Sequence, residues 1–410
     1  MELPRMLEFD DALAQLLAEQ VSPRSEPRSL ARCLGRVLAQ PVRLARDQPS
    51  FDRATMDGYA LCLEEGRTRY SVRGVVDAGT QFEGALQPGE AVRIMTGAPC
   101  PANTTVVQVE RTDGGDDEVE ITDPTALVAG KHIAWAGEDG RAGDEVLAAG
   151  TRLSPSTLSA AAMAGARELH TFVPPRLAIV GTGDEVGSDG DAGIADSNGP
   201  LLQSLAAALA CRARAYHAPD HPERLRSVLE EAGDEADIVI TVGGVSMGRK
   251  DLVPACAESL GYATRFHKVA IQPGKPVLFA RHADGRFFLG LPGNPVSVLV
   301  TAHLFLAPLV GAYFGGWTPR WQRFPLARAH EHRGRRRLFL PARLTPDGLL
   351  PVTWNGSGDL LAAATADGLL DLAPGSAHAA GASMAFLPFL GHSPGEVGSL
   401  PPRGAAAKHC

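Results

Sequence analysis

Hydrophobic and polar positions change rhythm three times along the chain. Leu7, Leu13, Leu16, Leu17 and Val21 recur at helical spacing, with Glu8, Asp10 and Asp11 early, where a helix dipole favours acids. They predict a helix over 7–21, and a second short helix follows over about 29–39. Across 69–148, short alternating segments such as 70–76 and 91–95 are separated by glycine-rich turns, among them Asp113-Gly114-Gly115-Asp116. That pattern predicts a small β domain. At 154–166 small residues dominate, with Ser154 placed as an N-cap and Pro155 at the first helical position, so a helix is expected.

From about 176 to 313 apolar runs alternate with amphipathic ones. Strands are predicted over 177–180, 213–217 and 237–242, and near 263–271, 276–280 and 286–290. Helices are predicted over 198–210, 223–232, 251–260 and 296–313. Strand-then-helix alternation means a mostly parallel sheet with helices on both faces. Residues 316–391 return to short strands with Gly/Pro turns, and 392–410 hold little to bury and are expected to be disordered. The predicted fold class is therefore multidomain α+β and α/β, a central α/β domain with β-rich domains before and after it. The boundaries read as 1–45 plus 140–174 for a helical linking domain, 46–139 for the small β domain, 175–315 for the α/β domain and 316–391 for the last module.

A length of 410 residues agrees with several domains, since single cores stop growing at roughly 250–300 residues. Net charge −8 argues against a general nucleic-acid binder. An anionic ligand would need a local positive site. Six cysteines lie far apart with no C-x-x-C spacing, which reads as reduced thiols of a cytoplasmic protein. Residues 1–10 carry charges and a proline but no apolar core, so no signal peptide is expected. The stretch 295–311 comes closest to a membrane span, but His303 and Pro308 interrupt it and none is expected.

Candidate chemistry gathers at 237–251. An apolar, β-branched strand runs into Gly243, Gly244 and Gly248, and Asp251 opens a predicted helix as its N-cap. Strand, glycine loop and helix N-terminus together suit an anion. Gly181-Thr182-Gly183-Asp184-Glu185 is a second such loop. Read as a dinucleotide fingerprint it fails, because Val186 stands where glycine is required. Gly244-Val245-Ser246-Met247-Gly248 matches a nucleophile elbow, with Ser246 as nucleophile and His267, His282 or His303 downstream as base. The extra Gly243 and a helix predicted to start five residues after the serine count against it. The third reading is an oxyanion and phosphate site. Glycine N–H groups and the point charges of Lys268 and Lys275 would hold the anion. Asp184, Glu185, Asp220 and Asp251 would carry a divalent cation, since bare carboxylates repel phosphate. Pro273, Gly274 and Pro276 box Lys275 into a rigid turn. His217 and His221 are four apart, but Pro219 and Pro222 make them loop histidines. The run from Arg333 to Arg337 reads as a solvated turn with one arginine reaching an anion.

Seven separated motifs occur in one order: SFDRATMDGYA at 50–60, MTGAPCP at 95–101, GED at 137–139, GTGDE at 181–185, GGVSMG at 243–248 with Asp251, PGKP at 273–276 and GLPGNPVS at 290–297. In this the chain resembles the MoeA family of molybdopterin molybdenumtransferases, which includes the C-terminal domain of gephyrin. The resemblance covers about 7–390 and implies an elongated homodimer of four-domain protomers, with a molybdopterin-binding domain at 175–315. It implies a cytoplasmic enzyme acting late in molybdenum cofactor biosynthesis. Such an enzyme splits adenylylated molybdopterin with Mg2+ or another divalent cation, releases AMP and inserts molybdenum from molybdate. Its active site would lie between the α/β and β domains, with contributions across the dimer.

Carried over by motif, the catalytic residues are Asp57, Thr96, Asp139, Glu185, Asp220, Asp251, Lys268 and Lys275. Substrate would meet Gly181, Thr182, Gly183, Asp184, Gly243, Gly244, Ser246, Gly248, Pro292, Asn294, Pro295, Arg336 and Ser357, and the cation would sit on Glu185 and Asp251. Implied partners are a second copy, a pterin adenylyltransferase and molybdoenzyme maturation proteins, with no nucleic acid and no membrane. Two departures remove positive charge. Ala134, Trp135 and Ala136 stand where the family carries arginines before Gly-Glu-Asp, and Gln272 stands where it carries lysine. A pterin-binding paralogue without metal insertion, and a serine hydrolase using Ser246, stay open as alternatives.

Overall fold

The computed structural model describes residues 6–186, 194–245 and 252–391. Its centre is a six-stranded sheet whose inner strands bury both faces and whose edge strands stay partly exposed. Its strands are Arg176–Thr182 (β1), Arg212–Ala218 (β2), Ile238–Val242 (β3), Tyr262–His267 (β4), Leu278–His282 (β5) and Phe287–Leu291 (β6). Helices Asn198–Ala208 (α1), Pro222–Glu235 (α2), Val253–Ser259 (α3) and Pro295–Thr301 (α4) alternate with them. The sheet order is β2-β1-β3-β6-β5-β4. The first four run parallel, while β5 and β4 are antiparallel additions, so the sheet is mixed.

Leu177 and Ile179 of β1 share one core with Leu202, Leu205 and Leu209 beneath α1. Their neighbours Ala178 and Val180 share the opposite core with Leu225 and Leu229 of α2 and Val253 of α3. Every residue of β3 is buried, which is what its unbroken apolar run requires.

The predicted helix 296–313 is one continuous helix with a wide turn. α4 passes through a π segment, Ala302–Leu306, into Ala307–Ala312. Contrary to the sequence expectation, Pro295–Ala312 is long and apolar enough to cross a membrane, but 83% of it is buried inside the protein, as in a core helix. His303 does not interrupt it. Its Nδ1–H donates to the Leu299 carbonyl at 2.8 Å, and its Nε2 accepts the Leu390 N–H at 3.2 Å.

The helix expected over 29–39 does not form. Ser25–Ser29 is a strand, and only a single 3-10 turn, Leu30–Arg32, follows. Gly35 adopts φ +75°, and Leu38 bridges to Thr171, so the apolar spacing serves extended chain. The strand expected near 263–271 also splits. Ile271–Gln272 leaves the α/β sheet and pairs in parallel with Arg337–Thr345.

The chain divides into two compact units, one of residues 1–27, 35–39 and 170 onward, the other of 28–34 and 40–169. In the first, the C-terminal sheet orders Ile271–Gln272, Arg337–Thr345, Gly368–Leu372, Ser383–Pro388 and Gln322–Pro325, with Gly348–Pro351 at the side of Arg337–Thr345. The helix Phe9–Ala18 docks Phe9 edge-on against Phe305 and Phe339. The second unit holds a five-stranded sheet ordered Thr105–Gln108, Gly58–Leu61, Glu90–Ile94, Arg69–Val76 and Glu118–Glu120. Its helix Pro155–Met163 starts on a Ser154 capping box, as Ser154 and Pro155 announce. The five described cysteines are free thiols.

Candidate active site

After β1 the chain adds β2 on one side, then crosses to place β3 on the other. The carboxyl ends of β1 and β3 therefore diverge, and an open α/β sheet has its binding crevice at such a reversal. A cleft of about 740 Å³ lies there, lined by the ends of β1, β2 and β3, the loop after β6, the start of α1, and residues 358–361. Thr182 closes the two central strands, its buried Oγ–H donating to the Val242 carbonyl at 2.9 Å.

The glycines act differently from the sequence reading. The Gly243 N–H donates to the Leu291 carbonyl at 3.0 Å and the Gly183 N–H to Ala218 at 3.4 Å, so neither is an uncommitted anion donor. What these positions require is space and a left-handed backbone. At Gly243 φ is +92° and a Cβ would stand 2.8 Å from Thr182 Oγ1, while at Gly183 φ is +116° and a Cβ would meet the Glu185 carboxylate.

Of the predicted residues, the cleft brings together Gly181, Thr182, Gly183, Glu185, Asp220, Gly243, Gly244, Asn294 and Pro295. Asp184 Oδ1 accepts the Asp220 N–H at 3.3 Å and links two of the loops. Asn294 Nδ2–H donates to Ser357 Oγ at 2.8 Å, and the Val296 N–H donates to the Ser357 carbonyl, so Ser357 joins this rim. Pro292 is buried at the end of β6's loop. Ser246, Gly248 and Asp251 lie outside the described residues.

Sequence reasoning missed Asp196, Asn198 and Asp359. Asp196 Oδ1 accepts the Asn198 and Gly199 N–H groups at 3.1 and 2.9 Å, capping α1. Asn198 Nδ2–H donates to the Gly293 carbonyl at 2.8 Å, and its buried Oδ1 has no partner among the described residues. The aspartate before an amphipathic helix was a readable cap signal. His217 lies in β2, as the predicted strand 213–217 has it, and lines the cleft.

Among the described residues the lining carries Glu185, Asp196, Asp220 and Asp359 and no lysine or arginine. Against these four carboxylates a phosphate is best accommodated with a cation. Among the described residues no group of three or more His, Cys, Asp or Glu could hold a metal ion. Glu185 and Asp220 are hard oxygen donors on adjoining loops, and Mg2+ is usually held by one or two carboxylates plus substrate phosphates. The donor set fits a cation that arrives with its anion.

Lys268, Lys275 and Arg336 are not among the described residues that line this cleft. The Lys268 N–H donates to the Val277 carbonyl at 3.0 Å, and the Val269 N–H to the Lys275 carbonyl at 3.0 Å, so both lysines stand on one pinched loop. Arg336 joins it, Nη1–H donating to the Ile271 carbonyl at 2.9 Å. Arg333 is paired with Glu331, and Arg337 with Asp371 and Asp10. Among the described residues, by contrast, no carboxylate pairs with Lys268, Lys275 or Arg336. Cations with no carboxylate partner among the described residues are an anion's natural contact.

In the other unit, Asp57 Oδ1 accepts the Thr96 N–H at 2.6 Å and the Thr96 hydroxyl at 2.7 Å, and these bonds hold its carboxyl below the ordinary range. The pair lines a cleft of about 620 Å³ with Glu110, Arg111 and Asp123. Arg111, bonded to Asp123, was not anticipated. Asp139 is exposed, its N–H on the Gln48 carbonyl at 2.8 Å, and it does not line this cleft.

Two of the three candidate bases of the hydrolase alternative are committed to backbone groups. His267 Nε2–H donates to the Val245 carbonyl at 2.8 Å, His282 Nδ1 is 2.7 Å from Asp284, and both His303 nitrogens are engaged.

Residues 7–165 match the family model of the MoeA N-terminal region (domains I and II), and 178–312 match that of a probable molybdopterin-binding domain. The molybdopterin molybdenumtransferase of Synechococcus elongatus is 37% identical over 362 residues, 84% of this chain and 89% of that protein. Its namesake in Haemophilus influenzae is 34% identical over 328 residues, 78% of this chain and 80% of that protein. The crystal structure of the molybdopterin biosynthesis MoeA protein of Pyrococcus horikosii superposes with TM-score 0.77 at 29% identity, covering 95% of this chain and all of that one.

Proposed function

Because the chain belongs to the MoeA family of molybdopterin molybdenumtransferases, enzymes of a late step in molybdenum cofactor biosynthesis, we propose that its substrates are adenylylated molybdopterin and molybdate and that it releases AMP. The observation that carries this reading is the acidic cleft at the β1/β3 reversal. Water attacks the adenylyl phosphorus, the bridging P–O bond breaks, and AMP leaves while molybdopterin keeps its own phosphate. Glu185 and Asp220 would hold Mg2+, with Asp251 as the sequence's further candidate, and Mg2+ supplies charge neutralisation to the anhydride oxygens. Asn198 Oδ1, a buried acceptor, suits a heterocycle N–H.

Lys268, Lys275 and Arg336, with no carboxylate of the described residues to neutralise them, suit the molybdate oxyanion. The Asp57–Thr96 pair is read as a contribution to the same reaction within a homodimer. Free cysteines agree with a cytoplasmic setting.

Purified protein with adenylylated molybdopterin, Mg2+ and molybdate should release AMP and form cofactor. Glu185→Gln and Asp220→Asn should each slow AMP release by about 100-fold, as expected when a charged group acting on the transition state is lost. Absence of nucleotide cleavage would reject the reading. Cleavage without cofactor would favour the paralogue that does not insert metal.

A further inference from the structure

The turn that carries Arg336 is folded around one buried imidazole. His332 is only 6% exposed, and its Nε2 lies 2.7 Å from the Arg336 carbonyl oxygen, to which it donates. Its backbone N–H donates to the Ser376 carbonyl at 2.8 Å, and the Gly334 carbonyl accepts the Gly375 N–H at 3.0 Å. Gly334 walls the ring directly, since a Cβ there would overlap His332 Cε1. Arg336 is thus gripped twice, by His332 at its backbone and by the Ile271 carbonyl at its guanidinium. Ile271 immediately precedes Gln272-Pro273-Gly274-Lys275.

We propose that His332 is a positioning residue for oxyanion binding: seated against Gly334, it fixes the Arg336 backbone so that the guanidinium is presented beside the lysine loop. The proposal rests on the reading of Arg336 as a molybdate contact. A long, flexible cation without an ion pair samples many rotamers, and ordering it on binding weakens affinity. Holding its backbone from one side and one N–H from the other reduces that loss, and most of its donors stay available to an oxyanion. His332 itself touches no substrate in this account.

The test is calorimetric titration of the full chain with sodium molybdate. Arg336→Ala, which removes the charged contact, and His332→Leu, which frees its backbone, should each weaken binding by about tenfold or more. His332→Gln keeps an N–H donor for the Arg336 carbonyl and should stay within about threefold of wild type. Gly334→Ala keeps the imidazole but pushes it off the Arg336 carbonyl, and should behave like His332→Leu. Thermal unfolding of each variant shows whether it is folded, and if His332→Leu is not, Gly334→Ala and His332→Gln decide between them. Wild-type affinity in Gly334→Ala or His332→Leu overturns the proposal, as does equal loss in His332→Gln and His332→Leu. An ineffective Arg336→Ala, or no molybdate binding by wild type, instead overturns the reading beneath it.

Discussion

Lowering the pH from 7 to 5 should loosen the unit that contains His303, by an amount set by the burial of one imidazole. The ring is enclosed in the core, and desolvation brings its pKa from 6.5 down to about 4. Both nitrogens are used in the neutral form, Nδ1–H toward Leu299 and Nε2 for the Leu390 N–H, so a second proton would displace the Leu390 contact. The unfolded chain binds this proton more readily than the folded one. The stabilisation is therefore complete above about pH 6.5 and is lost as pH falls toward 4. A single site with these two values loses about 2 kcal/mol by pH 5 and about 3 kcal/mol by pH 4.

His303→Gln keeps a donor and an acceptor but does not titrate. Trp317 and Trp354 pack against the same core and report its unfolding, and a Trp135→Phe background removes the tryptophan of the other unit. Urea midpoints at pH 7, 6 and 5 then give the stability difference between wild type and the His303→Gln variant, with all other titrations cancelled. That difference should move by about 2 kcal/mol against wild type between pH 7 and 5. A constant difference would refute the argument.

Thr96→Val should let the Asp57 carboxyl rise toward the ordinary carboxylate range, because its largest stabilising bond comes from the Thr96 hydroxyl. Carbon-detected NMR titration reads this, and an unmoved Asp57 would contradict the assignment. Gly243→Ala should cost about 1–3 kcal/mol in thermal unfolding, from its positive φ and the approach to Thr182, and should reduce pterin binding. Arg337→Leu removes the cation held by Asp371 and Asp10 and stacked over Phe9. With the Arg337 side chain 26% exposed, a loss of about 1–3 kcal/mol is expected in chemical denaturation, and no loss would mean the three-way contact is neutral.

Local rules were legible wherever a short stretch decides its own conformation. Ser154-Pro155 announced its helix, and the apolar run at β3 announced a strand buried on both faces, because capping and solvent exclusion act within a few residues. The alternation from 176 onward was enough to place a crevice beyond the carboxyl ends, and the ordered motifs named the family. Where the same local rule had two outlets it failed. Leu30, Leu34 and Leu38 are spaced like a helix, yet Gly35 and the bridge from Leu38 to Thr171 make extended chain. Ile271 and Gln272 are as strand-like as their neighbours, but a partner far along the sequence, Arg337 opposite Ile271, drew them into another sheet.

Residue types and their order along the chain determined the elements, the sheet class and the identities of the acids and lysines. Only the tertiary structure decided which of them share a hollow. It put the carboxylates at the β1/β3 reversal, set Arg336 against the loop of Lys268 and Lys275, and supplied Asn198 and His332, which no motif marks. The reason is that strand register and loop packing are settled by contacts distant in sequence, and charge takes its chemical meaning from what lies beside it in space.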